Sequence, residues 1–142
     1  MGFLIDTSIW VDVERGAIAP ADVAAVTGDA PVYISPITIG ELKFGAEAAA
    51  SPALRQKRLA ALARLKRKPS LPIDEETGEI FGTIAAASRS AGRGSHQHRV
   101  NDVWLASQAI QHGFTLITRN VKDFGDVPGL ELLAWAASGR GG

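Results

Sequence analysis

Short apolar runs alternate along this chain with longer segments of helical periodicity, and that alternation leaves few folds open. Residues 2–5, 31–34 and 114–118 are apolar stretches bounded by turn residues, the pattern of buried strands. Shorter strands are expected near Leu71-Pro72-Ile73 and over residues 130–133. Helical signals fill the gaps. Asp6-Thr7-Ser8 offers N-cap side chains for a helix to about Arg15, stopped by Gly16. Further helices are expected over residues 20–26, 38–50 and 52–67, the last entered through Ser51-Pro52. Asp74 caps a long helix to about Ser90, and Asn101 caps another to His112, closed by Gly113. Residues 91–99, rich in Gly, Ser and His, read as a loop, and residues 120–124 as a turn or a single helical turn. This order predicts a parallel sheet of four or five strands covered on both faces: one three-layer α/β/α domain over residues 1–137, with a frayed tail at 138–142.

In open parallel sheets, ligands sit beyond the carboxyl ends of the strands, and acids stand at such places here. Asp6 ends the run Phe3-Leu4-Ile5, Glu41 follows an apolar stretch closing on Gly40, and Asp102 opens Val103-Trp104-Leu105-Ala106. Acids are rarely buried unless paired or bound to a cation. Three of them beside separate apolar segments point to a shared carboxylate pocket. Asn120 follows the strand at 114–118 through Thr118-Arg119 and falls on the same rim. Four oxygen-bearing side chains, with no cysteine in the chain and no histidine pair, suit Mg²⁺ or Mn²⁺ rather than zinc. Mg²⁺ keeps several waters and takes one or two carboxylates together with phosphate oxygens, which matches a phosphodiester substrate. In the absence of metal, clustered carboxylates repel, and at least one is expected to carry a raised pKa.

Composition narrows the class. A chain of 142 residues, 46% of them hydrophobic, fills one core and has no need of a second domain. No apolar run approaches the roughly 18–20 residues of a membrane span. The N-terminus reaches an acid too soon, and without basic residues, for a signal peptide. A cytoplasmic protein without membrane contacts is therefore expected. Net charge is zero, so the chain as a whole carries no nucleic-acid signature. Locally the charge is uneven: residues 55–68 hold seven basic side chains and no acid, and Asp74-Glu75-Glu76 with Glu79 follows.

Four segments carry a family resemblance: Leu4-Ile5-Asp6-Thr7-Ser8, Ser35-Pro36-Ile37-Thr38-Ile39-Gly40-Glu41-Leu42, Asn101-Asp102-Val103-Trp104-Leu105-Ala106 and Leu116-Ile117-Thr118-Arg119-Asn120-Val121-Lys122-Asp123-Phe124. In sequence and in order they resemble the successive motifs of PIN-domain nucleases, most of all the VapC-type toxins of bacterial toxin–antitoxin pairs. The resemblance implies a PIN-like fold and a Mg²⁺-dependent endoribonuclease, with Mn²⁺ as the other candidate ion. It also implies inhibition by a cognate VapB-type antitoxin, a second copy as homodimer partner, and tRNA or ribosomal RNA as substrate. Asp6 and Asp102 match the principal metal ligands and Glu41 the third acid. Asn120 stands where the family often has Asp, and an amide is a weaker, neutral ligand; Asp123 is placed to supply the missing charge if its turn points inward. Thr7 or Ser8 matches a hydroxyl that orients a ligand or phosphate oxygen, and Arg119 is the best-placed phosphate contact.

Each residue also has a plainer reading. Asp6 is an N-cap, Glu41 a solvent-facing helical residue, Asp102 a first-turn acid favoured by the helix dipole, Asp123 a surface turn acid and Asn120 a turn former. The basic segment 55–68 binds RNA phosphates, docks the antitoxin, or is a solvated face whose Leu54, Leu59, Leu62 and Leu65 pack inward. His96, His98 and His112 make no zinc set, Trp135 anchors the tail, Trp10 and Trp104 fall in amphipathic helices as core or interface residues, and Ile9, Trp10 and Val13 would suit an exposed apolar contact face. Two other function classes remain open: a PIN-like module that binds RNA or a partner without cleaving, and, more weakly, a phosphoryl-receiving domain with Lys122 as its lysine.

Overall fold

A computed structural model of the chain describes residues 2–90 and 97–135. The elements run β1 (Phe3–Ile5), α1 (Thr7–Arg15), α2 (Pro20–Thr27), β2 (Val32–Tyr33), α3 (Pro36–Glu47), α4 (Pro52–Leu65), α5 (Glu75–Ser90), α6 (Gln97–His112), β3 (Thr115–Thr118), α7 (Val121–Phe124) and β4 (Glu131–Ala134). The four strands form one parallel sheet in the order β2-β1-β3-β4. Four parallel strands flanked by helices agree with the α/β/α expectation. His96, the side chain of His98 and the expected tail at 138–142 lie outside the described residues.

Strand alternation builds the two halves of the core. Leu4 pairs in register with Leu116, and Ile5 with Ile117; all four are fully buried. Successive side chains on a strand leave opposite faces. Leu4 and Leu116 accordingly join Leu71, Ile84, Val103, Leu105 and Phe124 on the side of α5 and α6. Ile5 and Ile117 join Ile9, Trp10, Ile18, Val23 and Leu65 on the side of α1, α2 and α4. Trp135 packs against that second cluster, and its backbone N–H donates to Thr118 O at 2.8 Å. Leu62 and Leu65 are buried in α4, so the basic segment packs an apolar stripe inward. Ile9, expected on an exposed contact face, is a core residue instead, and Trp10 takes the core side of its two readings: α1 turns that face onto the sheet, and only Val13 of the three stays half-buried.

End signals place most boundaries, and three of them shift. Gly16 (φ 83°) and Gly113 (φ 68°) take left-handed backbone that a Cβ would strain, as helix-stopping glycines do. α3 begins at Pro36 rather than Thr38, because Ser35 Oγ accepts from Ile37 N–H and Pro36 fills the first helical position. The strand expected at Leu71-Pro72-Ile73 reduces to one bridge between Ile34 and Ser70. Ile34 N–H donates to Pro69 O and Leu71 N–H to Ile34 O, but Pro72 has no N–H with which to continue the ladder. α6 begins at Gln97, a turn earlier than the Asn101 cap expected for it.

A buried polar tie crosses this core. Ser35 Oγ donates to Gln108 Oε1 at 2.5 Å, and Gln108 Nε2 donates to Leu71 O at 2.8 Å; Ser35 and Gln108 are fully buried. Ser35→Ala removes a helix cap and leaves the Gln108 carbonyl without its donor. A loss of about 1–3 kcal/mol is expected from such a change. Urea unfolding followed by circular dichroism reads it, and an unchanged midpoint would show that the tie is not needed.

Candidate active site

The sheet register decides where Asp6 goes. Ile5 pairs with Ile117, so the next residues, Asp6 and Thr118, lie side by side at the carboxyl ends of the two central strands. Asp6 occupies the N-cap position of α1 but makes no side-chain cap hydrogen bond. Its Oδ2 instead accepts from Thr118 Oγ1 at 2.7 Å and Ser8 Oγ at 2.8 Å. Thr118 Oγ1 in turn accepts from the backbone N–H of Asn120 at 2.9 Å, which fixes the turn that carries Asn120. The N-cap reading of Asp6 therefore describes its backbone and not its carboxylate.

Burial sets the charge of this acid. Asp6 is 5% exposed. Desolvation raises its pKa above the ordinary 3.8; bonds from Thr118, Ser8 and the Thr7 backbone pull the other way, and the nearby Glu41 carboxylate raises it further. The groups acting on it are hydroxyls, an amide N–H and a second acid. A buried carboxylate held in this way lacks a countercharge.

Glu41, on α3, is held as closely, by donors from α1 and α6. Thr7 Oγ1 donates to Glu41 Oε1 at 2.6 Å and shares a 2.9 Å hydrogen bond with the fully buried Thr38 Oγ1. Asn101 Nδ2 donates to Glu41 Oε2 at 3.0 Å. Glu41 is half-buried, not a solvent-facing helical residue. Asp102 follows Asn101 in α6, whose first turn holds no acid, so the first-turn dipole reading does not apply to it. Asp123, expected at the surface, is half-buried in α7.

One cleft of about 1350 Å³ collects the whole expected set: Asp6, Thr7, Ser8, Glu41, Asp102, Arg119, Asn120 and Asp123 all line it. Among the described residues, no three acids or histidines stand close enough to enclose an ion by themselves. The donors are hard oxygens, and the most buried of them has no countercharge among the described residues. This fits an ion that keeps most of its waters and takes one or two carboxylates. The cleft continues along α1, α2 and α4, past Val23, Leu62 and Leu65 and the cations Arg58, Arg64, Arg67 and Lys68.

Two cationic expectations change. Arg119 lines the cleft, and its guanidinium pairs with Asp12, an α1 acid only 7% exposed whose place in the sequence carries no sign of that role. In the basic segment, Arg55 pairs with Glu47, and Lys57 and Arg58 with Glu14. Much of that charge therefore joins α4 to its neighbours. Thr38, Asn101 and Thr118 were also passed over as site residues. Their one available signal was polarity at positions facing an apolar interior, and Asn101 was assigned to a cap.

The raised pKa of Asp6 has a testable sign. Between the ordinary aspartate value and its raised one, the native state binds more protons than the unfolded chain. Stability therefore falls as pH rises through that interval, and the loss is complete above it. Asp6→Asn keeps an acceptor oxygen and removes the charge. In metal-free buffer at pH 7 the variant is expected to melt above the parent, and the gap should close on acidification. A variant that melts lower at neutral pH, or a gap that widens in acid, would contradict the assignment.

Residues 3–130 match the PIN domain family. Among curated proteins, the chain is 36% identical over 134 residues to Ribonuclease VapC1 of Rickettsia felis, covering 94% of this chain and 96% of the relative. It is 28% identical over 130 residues to Ribonuclease VapC4 of Mycobacterium tuberculosis, covering 92% and 94% of the two chains. Among solved structures, it superposes with a TM-score of 0.75 on a chain of VapBC-5 from Mycobacterium tuberculosis, a member of the VapBC family of toxin–antitoxin systems, at 26% identity and 94% and 98% coverage. The strand register, the four motifs gathered in one cleft and these likenesses agree: the chain belongs to the PIN-domain family, among its VapC-type members.

Proposed function

We propose that this protein is a Mg²⁺-dependent endoribonuclease, the toxin of a toxin–antitoxin pair, that hydrolyses RNA phosphodiester bonds. The observation that carries the reading is the buried Asp6 carboxylate, held by neutral donors beside Glu41 at the carboxyl end of the sheet. The ribonuclease names of the relatives support the activity, and the toxin–antitoxin assignment of the Mycobacterium tuberculosis neighbour supports the pairing.

Asp6 and Asp102 are the residues proposed to hold the ion, Mg²⁺ or in its place Mn²⁺. Once bound, it supplies Lewis-acid polarisation of a phosphodiester oxygen and charge against the negative charge that develops there. Ser8 and Thr118 keep the Asp6 carboxylate turned to the cleft. Glu41 orients the attacking water and accepts its proton as the new P–O bond forms. The opposite P–O bond breaks, and the products are a phosphate monoester and a hydroxyl end. Asn120 contributes a neutral oxygen, and Asp123, in the same cleft, supplies the negative charge that an Asp at position 120 would bring. Thr7 orients Glu41, and Arg119, anchored by Asp12, faces substrate phosphate with its remaining donors.

The cleft along α1, α2 and α4 combines apolar walls with arginine and lysine, and is proposed as the seat of a small VapB-type antitoxin. A segment lying there blocks the way to Asp6. Transfer RNA or ribosomal RNA is the proposed substrate, a homodimer the proposed assembly, and the cytoplasm the proposed compartment; among the described residues no helix is long and apolar enough to cross a membrane.

Purified free of antitoxin, the parent is expected to cleave RNA with Mg²⁺ and to stop when the ion is chelated. Asp6→Asn and Asp102→Asn should each abolish cleavage while retaining the parent's circular dichroism spectrum. Undiminished cleavage by both variants would overturn the assignment. Ion binding by calorimetry without hydrolysis of any RNA would favour the non-cleaving module.

A further inference from the structure

Asparagine inside a helix needs a reason. Its short amide competes with the backbone and favours caps and turns over helix interiors. Asn101 stands in the second turn of α6, with the helix beginning at Gln97. Its side chain is engaged across the cleft, Nδ2 donating to Glu41 Oε2 at 3.0 Å. A carboxylate only accepts, so the amide nitrogen and not its oxygen must face Glu41. On the other side, Thr7 Oγ1 donates to Glu41 Oε1, with the buried Thr38 hydroxyl behind it. Each Glu41 oxygen thus has one neutral donor, and each keeps further acceptor capacity.

We propose that Asn101 is a positioning residue, and that with Thr7 it fixes the Glu41 carboxylate across the cleft so that its remaining acceptor sites face the reacting phosphate. The inference rests on the nuclease reading for its kinetic consequence, and on geometry alone for the contact. A glutamate in a helix has three rotatable side-chain bonds; donors from α1 and α6 on its two oxygens hold one orientation among the several its stem allows. The amide also supplies this grip without adding charge. A lysine there would neutralise Glu41, and an aspartate would add one more acid to a cleft that already holds Asp6, Glu41, Asp102 and Asp123.

The test separates positioning from folding. Asn101→Ala improves the local helix propensity, so the helix itself gives no cause for unfolding. Losing a hydrogen bond to a charged group that acts in the chemical step should lower kcat about tenfold and leave KM for RNA within about twofold. In a Glu41→Ala background the same substitution should change kcat by less than about twofold, because its only target is gone. Equal losses in the two backgrounds, or an unchanged kcat in the parent background, would overturn the proposal. A second readout needs no catalysis. In metal-free protein, the side-chain amide resonances of Asn101 should shift on Glu41→Ala and on Thr7→Ala, which frees one end of the carboxylate; unmoved resonances refute the contact. A parent protein that cleaves no RNA would defeat the nuclease reading, and the amide resonances would still decide whether Asn101 holds Glu41.

Discussion

The burial of one carboxylate at the end of β1 organises this molecule. Asp6 lies where the sheet register forces the chain to leave the core, next to Thr118 and ahead of α1. Its Oδ2 takes hydroxyl donors from Thr118 and Ser8, and desolvation still raises its pKa. Among the described residues only neutral donors and a second acid surround it, and stability alone gives no reason for that burial, since an apolar residue of similar size would suit the core better. Under the proposed function the arrangement is a cation site kept ready at the cost of apo stability, as functional sites often are.

Around that centre, polar side chains form a connected scaffold rather than a set of separate ligands. Thr118 joins Asp6 to the Asn120 turn, Thr7 joins α1 to Glu41 and Thr38 on α3, and Asn101 joins α3 to α6. Arg119 and Asp12 tie the β3–α7 turn back to α1. Four elements are locked around one cleft by bonds between residues far apart in sequence. For the proposed reaction, rigid placement of this kind would let a few carboxylates act on a phosphodiester without rearranging.

Much of the fold was legible in the sequence because its signals are local. Apolar strand runs, Gly16 and Gly113, and Ser51-Pro52 each act within a few residues. The failures were of another kind. Asn101 looks like a cap, but α6 starts a turn earlier, and its amide serves a partner 60 positions away. Leu71 looks like a strand residue, yet Pro72 cannot donate the next ladder bond. Ile9 looks exposed on a short helix until the sheet beneath it is known. The acids Asp6, Glu41 and Asp102 were legible because charge beside apolar runs is unusual. Thr38, Thr118 and Asp12 were not, because a hydroxyl or an acid in a helix or strand becomes informative only once its long-range partner is seen.

The central claim, that the cleft floored by Asp6 is the ion site, is most directly tested by titrating Mn²⁺ into isotopically labelled protein and following paramagnetic broadening of the amide resonances. The account predicts that the signals of Asp6, Thr7, Ser8, Asp102 and Asn120 broaden first and together, at substoichiometric ion. Broadening that begins instead at the acidic start of α5, around Glu75, Glu76 and Glu79, or that spreads evenly over the surface, would contradict it.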